Sequence, residues 1–317
     1  MNKVSKILVY GLKFIGDSLF TTAFLKNLRL IYPDAFITVL CGKKGADIVL
    51  QNNKNINSAM VLDDDSTQRI EFIKNGNFDI AFILNTSFKA AYEVYKAGVK
   101  IRVGHKKELR GFLLTHKVKF DNKLHYAENH LNLFKHFIGK DVTHSNLEMF
   151  PENLHRNNIE TILKNVNPEN KTIAVLVPGT TNIKKSWPIS NYFEVNSLLI
   201  DKGFFTITIG SKFDNELCGN INPECNLCGK TCLHELYVLF SKSKLILTPD
   251  TGPMHIAACL ENEDNKPYII ALFGPTSPLL YGPYNYSQSV ILQKPSKKVD
   301  DILVSDVMHE ISTLKLV

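Results

Sequence analysis

The feature that most constrains this chain is an alternation, run through twice, of short apolar segments with segments of helical period. "KILVY" (6–10) reads as a strand, and Leu19, Ala23, Phe24, Leu28 and Ile31 recur at helical spacing, which predicts a helix from about Asp17 to Tyr32 that Pro33 closes. "AFITVLC", "SAMVLD", "FDIAFILN" and "KIRVGH" read as further strands, with the helical segments "GADIVLQN", "TQRIEFIKNG" and "FKAAYEVYKAG" between them. Strands separated by helices of roughly ten residues pair in parallel through right-handed crossovers. Residues 125–168 carry no strand signal and read as helices and loops, and the alternation restarts at "TIAVLVPG", continuing through "FTITIG", "KLILTP" and "YIIALFG". The expectation is an α/β chain of two doubly wound parallel-sheet lobes, 1–160 and 161–317, facing each other across a cleft, with the last helix packing back on the first lobe.

Composition narrows the class. With 44% hydrophobic and 21% charged residues the 317-residue chain is neither fibrous nor largely disordered. The apolar stretch before Gly11 is too short for a signal-peptide core, and no window reaches the roughly 18 apolar residues of a spanning helix, so a cytoplasmic protein is expected. The net charge of +6 is unevenly placed: nine Lys or Arg lie between Lys96 and Lys123, against Glu108 and Asp121. Such a run is either a solvated face or the footprint of an anionic partner, a phosphorylated substrate or a membrane surface. No finger or RNP-like strand supports a nucleic-acid reading.

In open α/β sheets, ligands lie off the carboxyl ends of the strands. Four segments fall there. "GLKFIGDS" (11–18) has the spacing of a phosphate-gripping loop, but Asp17 stands where the lysine should be, so this loop cannot hold phosphate. An acid at a helix start can be an N-cap or a general base. "VPGTTNIKKSWP" places Thr180, Thr181, Lys184 and Lys185 after a strand, with Trp187 anchoring the loop's far end. "TPDTGPMH" ends a strand and opens a helix near Gly252, whose first N–H groups suit an anion, with Thr251 adding a hydroxyl; Asp250 is a cap or loop acid, and His255 a packing or ligand residue. "LFGPTSP" is the fourth segment. Neither lobe has the G-x-G-x-x-G of a dinucleotide-binding dehydrogenase. Cys218, Cys225, Cys228 and Cys232 could hold zinc or serve as small apolar filler, and a reducing compartment disfavours a disulfide. "DDD" at 63–65 reads as a solvated turn.

"GDSLFTTAFLKNLR", "VPGTTNIKKSWP", "NLCGKTCLHEL", "TPDTGPMHIAA" and "LFGPTSP", with the smaller signatures "IRVGH" and "HYAENHL", occur in an order and spacing that resemble family 9 glycosyltransferases, the bacterial heptosyltransferases of lipopolysaccharide core assembly. The resemblance spans roughly residues 6 to 285. It implies a GT-B fold of two Rossmann-like lobes, the second holding a nucleotide-sugar donor and the first the acceptor. It implies an inverting, metal-independent transfer with no cofactor, in which ADP-heptose donates to a Kdo-lipid A type inner core during bacterial outer-membrane biogenesis. In this reading Asp17 is the catalytic base. Lys185 stabilises the leaving diphosphate, with Thr180, Thr181, Asp250, Thr251, Gly252 and His255 around the donor and Glu216 near its ribose. The basic segment, through Arg102, Lys106, Lys107 and Arg110, would meet the anionic acceptor, with a peripheral contact to the cytoplasmic face of the inner membrane. A nucleotide-sugar epimerase of the same fold, or a non-catalytic nucleotide-sugar-binding protein, is the alternative. The family places ordinary small residues where Cys228 and Cys232 stand, which lowers the zinc reading.

Overall fold

The computed structural model describes residues 4–42 and 45–314, apart from the side chain of Glu108. The chain divides between Phe150 and Pro151 into two compact units. In the first, strands β1 (Lys6–Tyr10), β2 (Phe36–Cys41), β3 (Ser58–Val61), β4 (Ile80–Ile83), β5 (Ile101–Lys106) and β6 (His116–Lys119) form one sheet in the order β3-β2-β1-β4-β5-β6. Every pairing in it is parallel. Its helices are α1 (Ile15–Leu19), α2 (Thr22–Ile31), α3 (Ser66–Gly76), α4 (Phe88–Lys96) and α5 (Tyr126–Ile138).

The second unit opens with helix α6 (Asn153–Val166) and builds its sheet from β7 (Ile173–Leu176), β8 (Phe205–Thr208), β9 (Cys225–Asn226), β10 (Leu245–Pro249), β11 (Tyr268–Phe273) and β12 (Ser289–Gln293). The strand order is β12-β11-β10-β7-β8-β9, again all parallel. Its other helices are α7 (Ile189–Asp201), α8 (Asn215–Gly219), α9 (Leu233–Ser241), α10 (Gly252–Ala258), α11 (Pro278–Tyr281) and α12 (Val304–Thr313). Among the described residues, no helix is long and apolar enough to cross a membrane.

The central strands are buried on both faces, as "ILVY", "IAFI", "IAVL" and "IIALF" require. In the first unit, Leu8, Tyr10, Ile83, Ala90, Ala91 and Val94 meet in one core, which sets α4 on the sheet. In the second, Ala174, Leu176, Tyr192, Leu247 and Leu272 meet Val307 and Ile311, so α12 packs into the core of its own unit.

The boundary at 150 has a local cause. Residues 141–150 form no helix or strand, and α2 holds them: the Asn27 amide donates to the His144 carbonyl at 2.7 Å and accepts from Thr143 N at 3.1 Å, while Glu148 N donates to Thr22 Oγ1 at 3.0 Å. Lys26 and Glu148 close the seam with an ion pair. The expected long first helix is two helices, α1 and α2, parted at Phe20 and Thr21. The "DDD" run is built into the fold rather than merely solvated: the Asp65 carboxylate accepts from Thr67 N at 2.7 Å and caps α3, and Asp64 pairs with Lys89 at 2.7 Å.

Candidate active site

In the first unit the carboxyl edge of the sheet carries the Gly11–Asp17 loop. Gly11 N donates to the Leu40 carbonyl at 2.9 Å and Gly42 N to the Leu12 carbonyl at 3.0 Å, so the loop lies flat against the end of β2. A side chain at Gly42 would come within 2.8 Å of Lys13 Cγ and 3.2 Å of Lys13 Cα, which explains the glycine. Phe14 is the extended residue that starts α1, and no side chain caps it. Asp17 stands in the first turn, half-buried, so it is not the N-cap. An anionic side chain there still meets the favourable end of the helix dipole.

Below that loop the end of β1 is held by buried polar contacts. The Tyr10 hydroxyl donates to Glu93 Oε2 at 2.5 Å and accepts from Arg69 Nη1 at 2.8 Å, and Ser66 Oγ donates to Glu93 Oε1 at 2.7 Å. Burial, then the Glu93 carboxylate, pushes the Tyr10 phenol well above its ordinary value. No motif marks these residues, because the partners come from β1, α3 and α4.

The second unit gathers five of the expected residues, Lys185, Asp250, Thr251, Gly252 and His255, at the carboxyl ends of β7 and β10, and Thr276 joins them from beyond the end of β11. Lys185 Nζ lies 2.7 Å from Asp250 Oδ2, and Thr276 Oγ1 donates to the same oxygen at 2.7 Å. His255 Nε2 is 3.9 Å from Asp250 Oδ1. Asp250 and His255 are both buried, whereas Lys185 is half-exposed. Thr251 starts α10, with its hydroxyl 3.3 Å from the Pro249 carbonyl, and Gly252 is the first helical residue. Trp187 anchors the lysine loop as expected, donating its indole N–H to the Ile302 carbonyl at 2.8 Å. Gly274 of "LFGPTSP" permits the close approach of that loop, since a Cβ there would lie 2.8 Å from the Lys184 carbonyl oxygen. Thr180 Oγ1 accepts from Asn182 N at 3.2 Å, and Thr181 is exposed beside it. The arrangement is a lysine held by a buried acid at the start of a helix, which can present positive charge to an anionic group.

Three expectations land elsewhere. Glu216 is exposed on α8, and the acid that touches the "VPG" turn is Asp214: a Cβ on Gly179 would meet its carboxylate at 2.8 Å. Asp214 Oδ2 accepts from Ser211 N at 2.8 Å and Oγ at 2.7 Å. Arg110 is wholly buried, its guanidinium donating to the main-chain carbonyls of His105, Asn85, Ser87 and Ile83, so it does not face a ligand. Arg102 likewise turns inward, to the carbonyls of Leu113 at 2.7 Å and Val99 at 2.5 Å. Of the basic segment's four expected contacts, Lys106 and Lys107 are the exposed pair. The cysteines also depart from expectation: Cys218 and Cys228 form a disulfide, because α8 and the turn after β9 bring their Cα atoms to 6.7 Å, while Cys225 and Cys232 are free.

Comparison with known proteins decides the family. The model for glycosyltransferase family 9 (heptosyltransferase) matches residues 67–305, well over half of the chain. The chain belongs to glycosyltransferase family 9. The lipopolysaccharide heptosyltransferase 2 of Escherichia coli strain K12 is 29% identical to it over 311 residues, covering 90% of this chain and 87% of that protein. A family 9 protein of Veillonella parvula DSM 2008 superposes with a TM-score of 0.86 at 23% identity, over 99% of this chain and 98% of the other. The E. coli ADP-heptose lps heptosyltransferase II does so at 0.79 and 23%, covering 98% of both chains. These superpositions establish the family 9 fold, GT-B, for the two Rossmann-like units described above.

Proposed function

We propose that this family 9 chain is an inverting glycosyltransferase that moves a heptose from ADP-heptose to the inner core of lipopolysaccharide or lipooligosaccharide. The observation that carries the reading is Lys185 held by Asp250, whose carboxylate also accepts from Thr276, at the start of α10, in a member of a family of heptosyltransferases. Its similarity to a lipopolysaccharide heptosyltransferase 2 and to an ADP-heptose lps heptosyltransferase II supports the donor and the acceptor.

In this mechanism Asp17 takes the proton from an acceptor hydroxyl as its oxygen bonds to the anomeric carbon and the bond from that carbon to the diphosphate breaks. The electron pair leaves with ADP. Lys185, Thr181 and the first-turn N–H groups at Thr251 and Gly252 meet the negative charge that builds on the diphosphate. Because the lysine supplies that positive charge, the step is written without a metal. Lys106 and Lys107 attract the phosphorylated acceptor, and the protein works at the cytoplasmic face of the inner membrane in peripheral contact with it. No observation favours the epimerase or the non-catalytic alternative.

The test is Asp17→Asn, assayed for ADP release with ADP-heptose and a Kdo-lipid A type acceptor, alongside ADP affinity by calorimetry. Turnover should fall by about 10²–10⁴, the usual contribution of a general base, with ADP affinity retained. Normal turnover would remove Asp17 from the mechanism.

A further inference from the structure

The first unit carries an exposed aromatic ridge that the transfer reaction does not use. Along α4, Phe88, Tyr92 and Tyr95 recur at i, i+4 and i+7 and face outward, at 43%, 38% and 47% exposure, while Ala90, Ala91 and Val94 face the core. Phe88 stacks on Tyr92 with ring centroids 6.2 Å apart, and Phe112, from the 3₁₀ turn Glu108–Leu113, meets Phe88 at 6.3 Å. Leu109 in the same turn is 81% exposed and Phe112 is 72% exposed. Water-exposed apolar side chains of this size, grouped on one face, mark a contact surface.

The border of the ridge is cationic. Lys96 Nζ sits 5.6 Å from the Tyr92 ring centre and the Arg102 guanidinium 5.3 Å from that of Tyr95. Lys100, Lys106 and Lys107 are exposed around it. Glu93, the one acid of α4, is buried and spent on Tyr10 and Ser66. Arg110 makes the ridge rigid: by donating to the carbonyls of Ile83, Asn85 and Ser87 it rivets the 3₁₀ turn to the junction of β4 and α4, and so sets Phe112 beside Phe88. The ridge begins at the carboxyl edge of the sheet, where β5 ends and α4 starts, two strands along from the loop of Asp17.

We propose that this ridge, Leu109 and Phe112 with Phe88 and Tyr92, bordered by Lys96 and Lys100, is the face by which the chain docks on an anionic lipid bilayer. Apolar side chains enter the headgroup region while the lysines meet acidic lipid, each charge worth about fivefold in partitioning. Docking here sets the acceptor-handling edge of the sheet against the lipid. This deepens the membrane contact of the proposed function and rests on that reading for the identity of the bilayer as the one carrying the acceptor.

The experiment is co-sedimentation of the full chain with vesicles of phosphatidylcholine alone or phosphatidylcholine with phosphatidylglycerol, at low and moderate salt. Wild type should bind the anionic vesicles, weaken as salt rises, and leave neutral vesicles largely free. The double variant Leu109→Ser, Phe112→Ser should lose at least tenfold in binding, and Lys96→Gln, Lys100→Gln should lose its preference for acidic lipid. Thermal melting of both variants checks folding, which the high exposure of these side chains protects. ADP release with a soluble acceptor and no vesicles should match wild type, so failure of transfer and failure of docking read out separately. Wild type that ignores both vesicle types, or a ridge variant that sediments like wild type, overturns the proposal.

Discussion

Lys185 Nζ sits 2.7 Å from Asp250 Oδ2 and 3.3 Å from the Asp250 main-chain carbonyl, on an acid that is only 6% exposed. The buried partner fixes the lysine's direction without hiding it, since Lys185 keeps 20% side-chain exposure and an ammonium has three donors. A single residue therefore sets the charge and another sets where it points.

Removing either should cost the same function. Lys185→Ala should lower kcat/KM by about 10²–10³, the range for losing one electrostatic stabiliser of a leaving group, and should weaken ADP binding as well. Asp250→Ala should do nearly as much by releasing the lysine. The double variant should be little worse than either, giving a coupling energy of about 1–3 kcal/mol in a double-mutant cycle of ADP binding. Additive losses would mean that the two side chains act separately.

The glycine of "IRVGH" has a steric reason. A Cβ on Gly104 would lie 2.8 Å from Arg110 Nη2, 3.2 Å from Leu114 Cδ2 and 3.3 Å from the Ile83 carbonyl oxygen. Gly104→Ala should destabilise the protein by about 1–3 kcal/mol in urea titration, the cost of overpacking a core. Gly111→Ala is the contrast: its nearest neighbour is the movable Lys106 Cγ at 3.3 Å, so stability should stay within about 0.5 kcal/mol of wild type.

Arg110 also marks the limit of reading charge from sequence. The central strands, the two-unit plan and the "TPDTGPMH" segment were legible because apolar runs and strand-to-helix junctions are local patterns. β6 was not: "HKVK" lies at a sheet edge with three of its four residues exposed and offers no apolar run. β12, an edge strand of the second sheet, is hidden for a related reason, since "SVILQ" has no fully buried residue. Nine cations in one segment look alike in a sequence, yet Arg110 and Arg102 are spent on main-chain carbonyls while Lys106 and Lys107 stay in water. Thr276 was in view within "LFGPTSP", but its partner Asp250 lies 26 residues away and only the parallel pairing of β10 with β11 joins them.

The two signature segments "IRVGH" and "HYAENHL" meet through their histidines. His105 and His130 are both fully buried, with ring centroids 6.3 Å apart, beside Phe120 and Tyr126. Burial and then the Arg110 charge push His105 down to about 4, and burial, His105 and His125 push His130 down to about 3. Both are thus neutral in the folded state through the range where unfolded histidine, near pH 6.5, takes up a proton. Their contribution to stability is complete above about pH 6.5 and is lost as the pH falls from there toward 4. The slope should approach about 1.4 kcal/mol per pH unit for each histidine. Unfolding free energy measured against pH should show this fall, and His130→Phe should roughly halve it between about pH 6 and 4.5. An unchanged slope would mean that His130 is protonated in the fold.

The disulfide separates stability from donor binding. Cys218 and Cys228 close a loop with a sequence separation of 10, tying α8 to the turn at Gly229. In the chain-entropy account a loop of that size contributes about 2–3 kcal/mol by restricting the unfolded chain, so reduction, or Cys218→Ser with Cys228→Ser, should lower the melting temperature. The turn has its own fixings: Gly229, at φ +72°, donates its N–H to the Gly210 carbonyl at 2.9 Å and leaves no room for a Cβ, which would lie 2.7 Å from Lys212 Cα. Those contacts hold the segment around Asp214 against Gly179 and Gly210 without the cross-link. ADP affinity by calorimetry should therefore match wild type in the double serine variant while its melting temperature falls. If ADP affinity drops instead, α8 belongs to the donor site, and Glu216→Gln becomes the variant that shows whether its exposed carboxylate is the group that reaches the nucleotide.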